Sequence, residues 1–195
     1  MKTVLLGLFI VFGLPFGQDA INYGHTSIIK TLRKVTRMKN PQMIALKLLP
    51  SVERKEETRG KYFSIVETND ENTQYYLYIG RVNSCRAGGC SSSSGQPIEN
   101  PEYEYFDYFI LFDDTATVRL VKVFNYEATH GQEITARGWL KQFSGYSDSK
   151  SLEVGKNIDA ISGATVSVYA ITLDVQDKTR LLRKMLLQQD SGYEL

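Results

Sequence analysis

The residues Asp159-Ala160-Ile161-Ser162-Gly163-Ala164-Thr165 combine the side chains and spacing of an anion site. A polar, Gly-containing stretch precedes them and a helix-prone run from Val166 follows. A small-residue turn that enters a helix leaves backbone N–H groups converging without partners, and such a cluster of donors accepts a phosphate. Ser162 is a good helix N-cap, and Gly163 lets the backbone approach a bulky ligand closely. Thr165 would lie in the first helical turn with its hydroxyl beside those donors, where it could even be esterified to a phosphate.

Two further stretches carry groups capable of chemistry. Cys85-Arg86-Ala87-Gly88-Gly89-Cys90 runs into Ser91-Ser92-Ser93-Ser94-Gly95. The two cysteines read either as a disulfide clipping a Gly-rich loop or as a redox-active dithiol, with Arg86 favouring the thiolate. They make a poor metal site, because His25 and His130 are the only histidines of the chain. Glu127 to Ile134 forms a Gly-containing segment after a strand-like run, with Thr129, His130 and Gly131 at its centre.

D-x-x-[ST]-G-A-T, here Asp159, Ser162, Gly163, Ala164 and Thr165, resembles the flavin-attachment motif of FMN-binding domains. That family includes the C subunit of the sodium-pumping NADH:quinone oxidoreductase and the G subunit of the Rnf complex. The resemblance implies covalent FMN on Thr165 through a phosphoester bond, installed by a separate flavin transferase. It extends to Thr129, Gly131, Glu133 and Ile134, which loosely match an E-T-P-G-L-G-like loop, and to Gln142, Phe143 and Gly145, which match Q-F-x-G. His130 stands where the family has Pro. The implied roles are backbone N–H groups of the loop at the flavin's polar edge, with His130 over the ring or donating to its N1/O2 region. Trp139 and Phe143, four apart on one helical face, read as core.

The elements that must position these residues form a pattern of helices around strands. Ile28, Ile29, Leu32, Val35 and Met38 recur at helical spacing, with Lys30, Arg33, Lys34 and Arg37 on a solvated face. Pro41 is expected to start a second helix running to about Leu49, ended by Pro50. Tyr62–Val66 and Gln74–Val82 read as two strands joined by a turn, and Tyr105–Phe112 with Thr117–Tyr126 as a second pair. The last of these is apolar on both faces and is expected to lie centrally in an antiparallel meander. From Val166 to about Gln189 a long helix is expected, with a stripe of Tyr169, Leu173, Leu181, Leu182, Met185 and Leu186 and a bend near Asp174-Val175. The fold class is therefore α+β: an antiparallel sheet of strand hairpins flanked by N-terminal helices and a long C-terminal helix, as in FMN-binding domains.

With 195 residues and 42% hydrophobic content, the chain can bury one good core. Its net charge of +1 gives no reason to expect a nucleic-acid partner. Lys2 followed by the apolar run Thr3 to Phe16 reads as a signal peptide, too short for the roughly 20 residues a membrane span needs. A retained signal anchor is the alternative. The expected organisation is a signal peptide over 1–20, an N-terminal helical segment over 21–60 and an FMN-binding-like domain over 61–195. The product would be exported, periplasmic or at the cell surface, and would exchange electrons with membrane-associated or extracytoplasmic redox partners. The competing functions are a small flavin reductase using Cys85 and Cys90, and a flavin-free binding module. No nicotinamide fingerprint of the G-x-G-x-x-G type supports direct oxidation of NAD(P)H.

Overall fold

The computed structural model describes residues 20–47, 60–67, 70–86 and 103–191. The signal-peptide reading (apart from Ala20), Cys90 and the Ser-rich stretch after it lie outside the described residues.

One antiparallel sheet of five strands is built in chain order from β1 (Pro41–Ala45), β2 (Gly60–Glu67), β3 (Asp70–Arg86), β4 (Tyr103–Asp113) and β5 (Val118–Tyr126). Helix α1 (Thr26–Thr36) precedes it. After it come a 3-10 turn (Gln132–Thr135), the short helix α2 (Arg137–Leu140), a second 3-10 turn (Lys141–Phe143) and the long helix α3 (Thr165–Ser191). The class is α+β, and the meander is as the alternation of the strands implies.

Successive side chains of a strand point to opposite faces, and here both faces are covered. Phe63, Ile65, Leu77, Ile79, Phe109 and Leu111 pack with Ile28 and Leu32 of α1. Tyr62, Tyr78, Tyr108, Ile110 and Phe112 face the other way, against Val168, Ile171, Val175 and Leu182 of α3. This explains why Phe106 to Phe112 can be an almost unbroken apolar run: β4 is sandwiched between two helical layers.

Two expectations about the elements are corrected. Pro41 begins a strand, not a helix, and Pro41–Ala45 pairs antiparallel with Ala45↔Phe63 through Pro41↔Glu67. The segment between Pro41 and Pro50 is too short to offset helix nucleation, and the open edge of β2 offers its backbone partners instead. The preceding turn is tied to the same place, since Lys39 and Asn40 donate their N–H groups to the Glu67 carboxylate at 3.0 and 2.8 Å. The second correction concerns β5, which is an edge strand and not a central one. Its two apolar faces arise because α1 covers Leu120 and Phe124 while the α2–α3 layer covers Val118 and Val121. The free side of β5 is partly closed where Gly145 donates to the Val118 carbonyl and Val118 donates to that of Tyr146, both at 2.8 Å.

The buried stripe of α3 also differs in its first turns. Tyr169 and Leu173 are exposed at 50% and 57%, and Val168, Ile171 and Val175 take the inward positions instead. Leu181, Leu182 and Met185 are buried as their spacing implies.

A buried ion pair ties the middle of the sheet together. The Arg81 guanidinium donates to both carboxylate oxygens of its cross-strand partner Asp107, at 2.7 and 3.0 Å, and lies 3.6 Å from the centre of the Tyr105 ring. Asn125 of β5 donates to the same carboxylate at 3.1 Å. Removing one member leaves the other charge buried and uncompensated, which costs about 3–5 kcal/mol. Asp107→Ala is therefore expected to lower unfolding free energy in urea by that amount, whereas Arg81→Met combined with Asp107→Leu recovers most of it.

Burial, then the neighbouring Asp148 carboxylate, pushes the Tyr146 hydroxyl from its ordinary value of 10.0 up to about 12. The folded state thus holds this proton more tightly than the unfolded chain. The stabilisation is complete below pH 10 and is lost as pH rises towards 12. Tyr108 is raised in the same direction by burial and by Asp174. Urea midpoints measured between these limits should fall with pH, and Tyr146→Phe should make that fall shallower.

Candidate functional site

Helix α3 is held on the sheet by polar contacts at three heights. Ser84 of β3 and Ser167 share a hydrogen bond of 2.7 Å, Tyr108 donates to the Asp174 carboxylate at 2.5 Å, and Tyr62 donates to the Lys178 carbonyl at 2.9 Å. Lys178 extends back to Asp174 at 3.6 Å. Burial raises Asp174 above the ordinary carboxylate value, against the opposing pull of Lys178 and Tyr108. These contacts set the helix's position along the sheet and so the location of its first turn.

That turn begins at the last residue of the motif. Ser162 and Gly163 form a tight turn closed by Ala164 N–H to the Ile161 carbonyl at 3.2 Å, and the first helical bond runs from Val168 N–H to the Ala164 carbonyl at 2.9 Å. Ala164 therefore stands at the cap and Ser162 does not, which corrects its expected role. The turn holds Gly163 at φ +81°, so the glycine is used for its left-handed backbone. Thr165 is the first helical residue and is exposed. The N–H groups of Thr165, Val166 and Ser167 donate to no protein acceptor among the described residues. They are the orphan donors that a helix leaves at its positive end.

An open cavity of about 290 Å³ lies on this end, lined by Ser84, His130, Gly163, Ala164, Thr165, Val166 and Ser167. No carboxylate is among its lining residues. His130 arrives from the loop after β5, which is fixed by Tyr126 donating to the His130 carbonyl at 2.5 Å. The Tyr126 ring stacks on Phe106 at 5.7 Å with planes 10° apart. Burial raises the Tyr126 hydroxyl, while the nearby Ser167 and Ser84 hydroxyls pull it down. Gly131 follows at φ +87° and lies so close to α3 that an added Cβ would meet Ser167 Oγ at 2.8 Å.

The motif residues are thus divided. Gly163, Ala164, Thr165 and His130 share one cavity, 35 residues apart in the chain at their most separated, counting from His130 to Thr165. Gly131 supports its wall through Ser167. Asp159, Ser162 and Thr129 do not line it. Asp159 instead anchors the approach to the turn: its N–H donates to Gln142 Oε1 at 2.8 Å and its carbonyl accepts from Trp139 Nε1 at 2.9 Å. Gln142 is itself fixed by donating to the Trp139 carbonyl, and Trp139 packs edge-on against buried Phe143. Thr129 donates its hydroxyl to the Glu104 carboxylate. Cys85 belongs to β3, directly after the cavity residue Ser84. Ser84 and Ser167 were not foreseen as site residues, and single serines on a strand and a helix carry no spacing signal that could have revealed them.

Among the described residues no cluster of His, Cys, Asp or Glu could hold a metal ion, and no helix is long and apolar enough to cross a membrane. No protein-family model matches the chain, and no curated protein is significantly similar to it.

The two left-handed glycines separate backbone strain from close packing. At Gly163 an added Cβ meets nothing within 4 Å. Gly163→Ala should therefore cost about 1–2 kcal/mol, from the left-handed conformation alone. Gly131→Ala should cost more in the same urea titration, because it also drives Ser167 off Ser84.

Proposed function

We propose that this protein is an exported flavoprotein that carries FMN on Thr165 through a phosphoester bond and passes electrons between extracytoplasmic or membrane-associated redox partners. A flavin transferase is required for its maturation. The observation that carries this reading is the coincidence, at one residue, of the D-x-x-S-G-A-T motif with an exposed hydroxyl at the positive end of a long helix.

The chain's own groups suit the anchor. A phosphodiester on Thr165 would keep one negative charge beside the unpaired N–H groups of the first turn, a favourable contact of about 0.3–1 kcal/mol where solvent reaches it. The absence of carboxylates from the cavity lining means that nothing there repels this charge. His130 offers a polar side chain at the same opening, and the rigid Tyr126–His130 contact fixes the loop that bears it. Bound FMN would supply the one- and two-electron chemistry, and the protein would hold the cofactor and leave it reachable. The sheet with its long C-terminal helix would then be an FMN-binding-domain-like fold.

Co-expression with a competent flavin transferase should give a yellow protein whose mass exceeds that of the chain by one FMN moiety. Peptide mapping should place the addition on Thr165. Thr165→Ala should lose the added mass and all in-gel flavin fluorescence while keeping the unfolding free energy in urea within about 0.5 kcal/mol of the parent, as expected for an exposed position. A flavin retained covalently by this variant would refute the assignment. Unmodified, colourless protein from the native host would leave a binding module in its place.

A further inference from the structure

A second cavity of about 370 Å³ opens between α1, β5 and the α2 segment. Lys34 comes from α1, Lys122 from β5 and Arg137 from α2, and all three line it. The rest of the lining includes Val35, Leu120, Val123 and Leu140, with the hydroxyls of Thr31 and Thr135. No acidic side chain is among the lining residues.

Lys122 departs from the way this fold treats its other enclosed cations. Arg81 faces Asp107, and Lys178 faces Asp174. Lys122 is half-buried between the apolar side chains of β5, yet among the described residues its Nζ meets only the Thr31 hydroxyl, at 3.1 Å. It forms no ion pair among the described residues. Burial, then repulsion from Arg137, lowers its pKa from the ordinary value. A partly desolvated ammonium beside a second cation is unfavourable unless an anion joins them.

We infer that this cavity binds an amphiphilic organic anion, a carboxylate or phosphate on an apolar body. Lys122 and Arg137 hold the anionic group, Lys34 adds to the local positive potential, and the Val35–Leu120–Leu140 wall receives the apolar part. An inorganic anion would leave that wall unused, and a neutral apolar molecule would leave the cations unpaired. The site is separate from the Thr165 cavity, with no lining residue in common, and does not depend on flavin attachment.

The test uses the full-length protein and 1-anilinonaphthalene-8-sulfonate, an apolar body with one fixed negative charge, titrated by calorimetry. N-phenyl-1-naphthylamine, which lacks the charge, is the control. Saturable one-site binding of the sulfonate, at least about tenfold tighter than the neutral analogue, is expected. Lys122→Met and Arg137→Gln should each weaken it about tenfold, the scale of one lost charge-assisted contact, while Arg180→Gln on α3 should leave it unchanged. Arg137 is exposed, so its variant tests the site even if Lys122→Met disturbs packing. Displacement by decanoate in solution would identify a free amphiphile as the source of the anion, and displacement by phosphatidylglycerol vesicles a lipid. Absence of saturable binding, equal affinity for the neutral analogue, or unchanged affinity in both variants would overturn the inference.

Discussion

The docking of α3 across the sheet is the constraint on which the rest of the structure depends. Most of that interface is apolar, with Val168, Ile171, Val175 and Leu182 packed on a surface of aromatic rings, and the force that buries it is non-directional. Hydrogen bonds have no such latitude. The contacts from Ser84, Tyr108 and Tyr62 to three points along the helix convert a greasy contact into a fixed one. A buried hydroxyl that lost its partner would retain its desolvation cost, so a displaced helix is disfavoured several times over.

The same docking determines what the helix's first turn can face. With Ser167 held against Ser84, the residues that carry the orphan N–H groups line one recess together with His130. That loop has its own support in Tyr126 and in the close seating of Gly131 on Ser167. The approach to the turn is governed from another direction by Trp139 and Gln142, which grip the backbone of Asp159. Residues distant in the chain thus meet because three separate supports agree on one place. Edge strand β5 bears on both of the cavities described above, with its end leading into the His130 loop and its middle supplying Lys122.

Much of this was legible from residue order, and the exceptions have identifiable causes. The strands β2 to β5 announced themselves through aromatic and β-branched runs, and α3 through its length and period. Pro41–Ala45 did not, since five residues that begin with a proline satisfy a helix start and an edge strand equally, and only the vacancy beside β2 decides between them. β5 looked central because its two faces are apolar, yet two-sided burial requires covering layers and not a neighbour on each edge. Tyr169 and Leu173 fit the helical period but lie a residue's rotation away from the sheet. Within the site, Gly163 and Thr165 could be picked out by type and spacing. Ser84 could not, because its partner lies 83 positions away and no local pattern links them.

Tyr62 and Lys178 are separated by 116 positions, whereas each strand of the meander pairs with the one next to it in the chain. Closing the largest loop carries the greatest entropic cost, although that cost grows only slowly with length. The sheet's ladder needs nothing from α3 for its own hydrogen bonds. A fluctuation that lifts the helix can therefore erase the recess at Thr165 while the strands stay paired, the kind of sub-global opening that proteins undergo below their full unfolding energy. An enzyme that acts on that hydroxyl would accordingly meet two different substrates: an ordered ledge when the helix is seated, and an accessible, pliable segment when it is not.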